Sequence, residues 1–474
     1  MVSSQKIGEF LQLEDTDEIL RFRTDSGRLI WPSIRYLILS QLYNEEFGLA
    51  ELSSKQRLGI KQIKKFLMLF VAHSPFWVLL NRKIENLFFY SSVSNFKANG
   101  VFVNRVADYL FFTQKHNSYC LETLYNKELN YPRAHNRIAY AVGLNAICKL
   151  LVKVGLVRNS GNELENVTKL FALLNARSDH RYSAILQRVF RNAVNGLALA
   201  KAQYAVYDLF FKLSSIKRLI LEDAAYGGTS FIQFAARKNG ITIIEPQHGA
   251  ITTEHLGYNF GSSIARSVEY KRYLPDYFLS FGRYWHEQVN LPVAMVPIGN
   301  PYLSEYLKNC TLTDAQGAKS ILVISPGTAK EETEVVTSRL IRHFSHQYRI
   351  VLRPHPLEKF EAAEKYRGLI EQGAVLDANQ KVYDSIQQAE CIVGDISTVL
   401  FEAVAFNKIV VSYNSKINPP ISFPANLVYR TEPDQIAETV ETLLKDQNRP
   451  ASSDLTYVWE SDWQARFATF LQQT

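Results

Sequence analysis

Short apolar runs that end in small or polar residues recur along the chain, and stretches of helical character separate them. IENLFFYSSVSN (84–95), RLILEDAAYGG (218–228), ITIIEPQHG (241–249) and PDYFLSFG (275–282) each read as a buried parallel strand opening into a loop. Helices are predicted between the first two of these. The pattern restarts after residue 315 with KSILVISPGT (319–328), YRIVLRPHP (348–356), AECIVGDIS (389–397) and KIVVSYN (408–414). Strands alternating with helices predict an α/β architecture of two Rossmann-like domains facing across a cleft, over 84–305 and 306–455. Residues 1–83 read as a mainly helical N-terminal appendage, with a turn at Asp25-Ser26-Gly27. Residues 456–474 read as a C-terminal helix that packs back on the first domain.

Composition narrows this little. The 474 residues are 47% hydrophobic and 21% charged, which is ordinary globular make-up and excludes a disordered or fibrous chain. Four cysteines, at 120, 148, 310 and 391, form no CxxC pair, so no zinc site is expected and a reduced compartment fits. The net charge of +7 suits an anionic partner. From Leu52 to Arg105 there are nine Lys/Arg and one acid, Glu85, around the apolar run 66–80. That mixture suits contact with an anionic membrane surface; a buried helix with a solvated basic flank is the alternative. No secretory signal and no spanning run are read, which gives a cytoplasmic expectation, with peripheral attachment to the inner membrane face.

Ligands of doubly wound sheets bind outside the C-terminal strand ends, so the chemistry is sought in those loops. In GDISTVLFEA, Gly394 would allow close backbone approach. Asp395, Ser397 and Thr398 begin a helix, a ready anion site, and Glu402 is placed to accept from ribose hydroxyls. The alternative is a plain N-cap. In RPHP, Pro354 and Pro356 fix His355 on the ligand side, and Arg353 would pair with phosphate or brace the loop. Ser325, Gly327 and Thr328 make a short glycine turn with neither Walker nor dinucleotide spacing. In the first domain, Glu222 and Asp223 with Gln247, His248 and Gly249 form an acid/base candidate, Asp223 the first choice of base and Glu222 the second. His255, Tyr258 and Asn259 belong to the same loop. Each carboxylate is equally readable as a helix cap.

On QHG (247–249), HP (355–356) and Asp-x-Ser-Thr with its following glutamate (395–402), the chain resembles GT-B glycosyltransferases of bacterial capsule and lipopolysaccharide assembly. The branch favoured by the resemblance uses CMP-activated ulosonic acids: sialic, pseudaminic or legionaminic acid, or Kdo. Its HP and hydroxyl motifs hold the CMP phosphate, which would fall on His355-Pro356 and Ser397-Thr398. Its base would correspond to Glu222-Asp223, where glycine follows only at 227. The CDP-alditol phosphotransferases of teichoic-acid type share the HG, HP and serine motifs, but this chain has Gln247 before its HG and Ser397-Thr398 for a serine pair. The resemblance implies a metal-independent enzyme without cofactor. It takes a nucleotide-activated sugar and a glycan acceptor, lipid-linked, and does not bind nucleic acid. A nucleotide-sugar epimerase, a UDP-sugar transferase and a non-catalytic assembly subunit are the rival readings.

Overall fold

The computed structural model describes residues 2–46, 73–125, 128–253, 255–309, 319–358, 361–379, 381–416, 423–424, 426–446 and 452–474. Residues 47–72, which hold most of the basic stretch and the start of the apolar run at 66–80, lie outside it.

Eight strands stand where the apolar runs predict them. In the first domain these are β1 (Asn86–Ser91), β6 (Arg218–Leu221), β7 (Thr242–Pro246) and β8 (Tyr277–Ser280). The segment between β1 and β6 is not purely helical as expected. It adds a hairpin, β2 (Asn95–Ala98) and β3 (Val101–Asn104), and two sheet strands, β4 (Ser118–Thr123) and β5 (Ile138–Tyr140), while β9 (Ala294–Pro297) closes the far edge. The sheet is parallel throughout, in the order β5-β4-β1-β6-β7-β8-β9. β4 escapes an apolar pattern because Glu122 on it is buried in an ion network. Arg133 donates to Glu122 (2.6 Å) and to Asp108 (3.1 Å), and Asp108 also faces His135 (3.2 Å).

The second domain holds β10 (Ser320–Ile324), β11 (Arg349–Arg353), β12 (Val375–Leu376), β13 (Cys391–Gly394), β14 (Ile409–Tyr413) and β15 (Tyr429–Thr431). All are parallel, in the order β12-β11-β10-β13-β14-β15. Read within the domain this is 3-2-1-4-5-6, the Rossmann order. The first sheet repeats it with one strand added. In each, strand order reverses beside the first strand, between β1 and β6 and between β10 and β13. Crevices therefore open at the ends of those strands. The two domains together form the GT-B-like arrangement.

Three further pieces bind the molecule together. Helices Val2–Glu14 and Trp31–Glu46 pack onto helices Gly161–Arg177 and Ser183–Leu213 of the first domain. Their buried ion pair, Glu14 with Arg35 (2.6 Å), also reaches the 256–261 loop. Arg35 donates to the carbonyls of Leu256 (2.7 Å) and Asn259 (2.6 Å), and Glu14 accepts from the Gly261 N–H (2.9 Å). Helix Pro301–Asn309 leads out of the first domain. At the other end, the 458–460 segment wedges between the domains: Trp459 donates to the Phe401 carbonyl (2.9 Å), and Trp285 donates to that of Val458 (3.0 Å). The final helix, Trp463–Gln473, buries Trp463, Phe467 and Phe470 in the first-domain core with Phe88, Tyr90 and Leu279. Among the described residues, no helix is long and apolar enough to cross a membrane.

Candidate functional site

A cavity of about 430 Å³ lies between the two rows of strand ends. From the first domain it is lined by the 246–249 loop and the 298–302 segment; from the second by 353–356, 381–383, 397–399 and Glu402. Both sets of loop residues singled out in the sequence thus reach one space. The domains also touch there directly, since the Ala250 N–H donates to Thr398 Oγ1 (3.2 Å).

Of the first-domain acid/base candidates, His248 is the one that lines the cavity, and its surroundings define its chemistry. Nε2 lies 3.4 Å from Asp223 Oδ1 and 3.4 Å from the Tyr226 hydroxyl, and Nδ1 lies 3.4 Å from the Tyr258 hydroxyl. Tyr258 in turn donates to Glu245 (2.8 Å), whose buried carboxyl is pushed well above the carboxylate range. Burial lowers the His248 pKa, and the Asp223 charge works against that shift. Asp223 does not line the cavity; it flanks His248 with a partly exposed carboxylate, its backbone in the left-handed region (φ 58°) that non-glycine residues avoid. Glu222 is also set back. It accepts from the Ser91 N–H (2.6 Å) and the Ser94 hydroxyl (3.1 Å), and burial, then Asp223, raises its pKa to about 7.

Gln247 orients the loop. Its side chain accepts from the Phe281 N–H (2.8 Å) and donates to the Gly249 carbonyl (2.8 Å). His255 is a support as well. Nδ1 accepts from the Gly257 N–H (3.2 Å), Nε2 meets the Tyr226 hydroxyl (2.9 Å), and burial drops its pKa to about 4. Asn259 donates to the carbonyls of Thr252 (2.8 Å) and His255 (3.0 Å).

In the second domain Ser397 caps helix Thr398–Ala405, accepting from the Val399 N–H (3.1 Å). The helix end faces the cavity. His355 and Pro356 line it beside Ser325. The HP loop is fixed by a residue that sequence reading missed, Glu358, which accepts from the His355 N–H (2.9 Å) and from the Ser325 hydroxyl (2.8 Å). Burial lowers the His355 pKa. Gly327 takes φ +83° and its Cα faces the His355 ring; a Cβ there would lie 3.0 Å from Cγ, so only glycine fits.

Arg353 lines the cavity and is held by Asp377 (2.5 Å), the bracing alternative for this residue. Three other expectations are revised. Thr328 is exposed and outside the cavity. Gly394 serves packing: a Cβ would meet Leu400 at 3.0 Å, and the residue does not line the cavity. Asp395 is buried, and its carbonyl accepts from Ser412 (3.0 Å).

Glu402 is buried at the cavity wall, its pKa raised to about 7 by burial and restrained by the charge of Arg105. Arg105, Lys381 and Tyr383 complete the lining and carried no sequence signal beyond residue type. Arg105 is exposed to the cleft; its charge reaches Glu402 across the domain boundary, and Glu222 and His248 within its own domain.

Fold and site together define a two-domain α/β protein of GT-B-like fold with a cavity between its domains. No family model matches the chain. No curated protein matches it either. Solved structures with a similar chain path include a S. aureus MnaA bound to UDP, at 12% identity and a TM-score of 0.46, covering 82% of this chain and 95% of that one. Another is the UDP-GlcNAc 2-epimerase of Neisseria meningitidis bound to UDP-GlcNAc (12%, TM-score 0.45, 82% and 99%). A third is the wall teichoic acid polymerase TagF with CDPG (13%, TM-score 0.44, 93% and 96%).

Proposed function

We propose that the chain is a transferase of surface-glycan synthesis that takes a nucleotide-activated donor in the second domain and a hydroxyl acceptor over the first. The observation that carries this is the meeting, in one cavity, of His248, itself paired with Asp223, with the Ser397–Thr398 helix end and His355. The donor phosphate sits on that helix end, where unsatisfied N–H groups and the helix dipole favour an anion. His355 and Arg105 stabilise the charge that develops on the leaving phosphate. His248, backed by Asp223, takes the proton of the acceptor hydroxyl as the new bond forms. Glu402 accepts from the donor's hydroxyls. Water is excluded by closure of the cleft, and no metal is required by this charge arrangement.

For the donor we propose a CMP-activated ulosonic acid, on the motif resemblance at His355-Pro356 and Ser397-Thr398. Thermal shift of the purified protein with CMP, CDP, UDP, GDP and ADP tests it. A ligand at 100 times its dissociation constant adds about 2.7 kcal/mol of stability. Selective stabilisation by CMP is expected, and it should vanish in His355→Ala. Preference for CDP would replace the donor with an activated alditol, and preference for UDP with a hexose. No response to any nucleotide would overturn the reading.

A further inference from the structure

A second concavity, about 670 Å³, continues the cavity outward between the β2–β3 hairpin and helix Pro301–Asn309. The two spaces share Phe96, Tyr302 and Lys381, so a molecule leaving the first enters the second. Its walls are aromatic: Phe96 and Tyr109 from the first domain, Tyr302 and Tyr306 from the linking helix. All four are partly exposed.

These rings are held in place. Tyr302 stacks on buried Tyr383 with centroids 5.1 Å apart and planes at 25°, and it meets Phe96 at 5.1 Å and Tyr109 at 5.9 Å. Tyr306 is fixed by donating to Asp384 (2.5 Å). Side-chain amides of Asn99 and Gln387 stand among the lining groups. Among the described residues, two charged ones line the groove, Lys381 and Glu305, and their charges cancel. Glu305 is engaged besides by the Trp463 indole N–H (3.0 Å) and Lys308 (3.1 Å).

Preordered aromatic faces with amides beside them and no net charge suit one chemistry. A pyranose ring offers an apolar C–H face for stacking and equatorial hydroxyls for amides. A polyanionic chain would meet no cation surplus. The volume is that of sites for drug-sized ligands, room for about two or three sugar rings. We propose that this groove binds the acceptor as a chain of uncharged sugar units running outward from the reaction centre. The proposal rests on the transferase reading above and adds the acceptor's class.

The test uses the full chain on an array of immobilised oligosaccharides of bacterial type, uncharged or phosphate-bearing, from single sugars to hexamers. Uncharged chains should bind at least about tenfold more tightly than the single sugars. Tyr109→Ala and Tyr306→Ala should each lose about tenfold, with the nucleotide thermal shift unchanged. If Tyr306→Ala lacks a cooperative melting transition, Tyr109→Ala and Gln387→Ala carry the comparison. Capture of phosphate-bearing chains alone, equal capture of single sugars, no capture, or variants that bind like wild type would overturn the groove. Nucleotide binding without glycan capture sinks the groove and spares the donor site; the reverse result does the opposite.

Discussion

His248 keeps an uncharged imidazole near neutral pH because burial outweighs the pull of Asp223. That is the state a general base needs. His248→Asn should lower turnover by about 10²- to 10⁴-fold and leave nucleotide affinity unchanged, as measured by initial rates and thermal shift. Asp223→Asn should act in the same direction and more weakly, because Asp223 lies outside the cavity lining and acts through its pairing with His248. Glu402 offers a second check. Burial raises its pKa from the ordinary 4.5 to about 7, so its contribution to stability is fully present below pH 4.5 and is lost as pH rises to about 7. Glu402→Gln should therefore flatten the fall of Tm over that window; a wild-type slope in the variant would disprove the burial argument. Sequence order made His248, His355 and Ser397 visible, since each follows an apolar strand. Arg105, Lys381 and Tyr383 come from elements without such punctuation, and no residue-level signal separates them from surface or core neighbours. Asp223 is the first choice of base in the sequence because carboxylates at strand ends commonly are bases. In the fold it pairs with His248, and of the two it is His248 that lines the cavity.

At the level of elements, eight strands were legible because each is a short, mainly apolar run that opens into a loop of small or polar residues. β4 was not, since Ser118 and Glu122 are polar and are buried only by partners distant in sequence. β5, β12 and β15 have three, two and three residues, too few for any periodicity to register. The connection after β9 is tight. Gly299 has φ +94°, and a Cβ there would lie 2.3 Å from the Glu460 carbonyl oxygen. Gly299→Ala combines a left-handed backbone with a backbone collision and should cost about 3 kcal/mol, read by denaturant unfolding. It should also expose the Trp463 helix to limited proteolysis. Cleavage and stability equal to wild type would show that the 460 segment does not depend on this contact.

Over the whole molecule, the apolar joint of Trp285, Phe401 and Trp459 holds the domains together behind the cleft. Relative motion is therefore expected as opening and closing of the cavity side. The returning C-terminal helix has a consequence for biosynthesis. The first sheet gains its last strand at Pro297, but the helix that covers its apolar flank begins at Trp463, about 160 residues later. The second domain is in effect an insertion in the first. At usual elongation rates the emerging chain spends about ten to thirty seconds with that flank uncovered. A message truncated before codon 452 should yield a second domain able to fold and a first domain that aggregates, measurable as loss of soluble product. Co-expressing the 452–474 segment in trans should restore solubility only if the bed for Phe467 and Phe470 is already formed, making that peptide a reporter of how early the first domain folds on the ribosome.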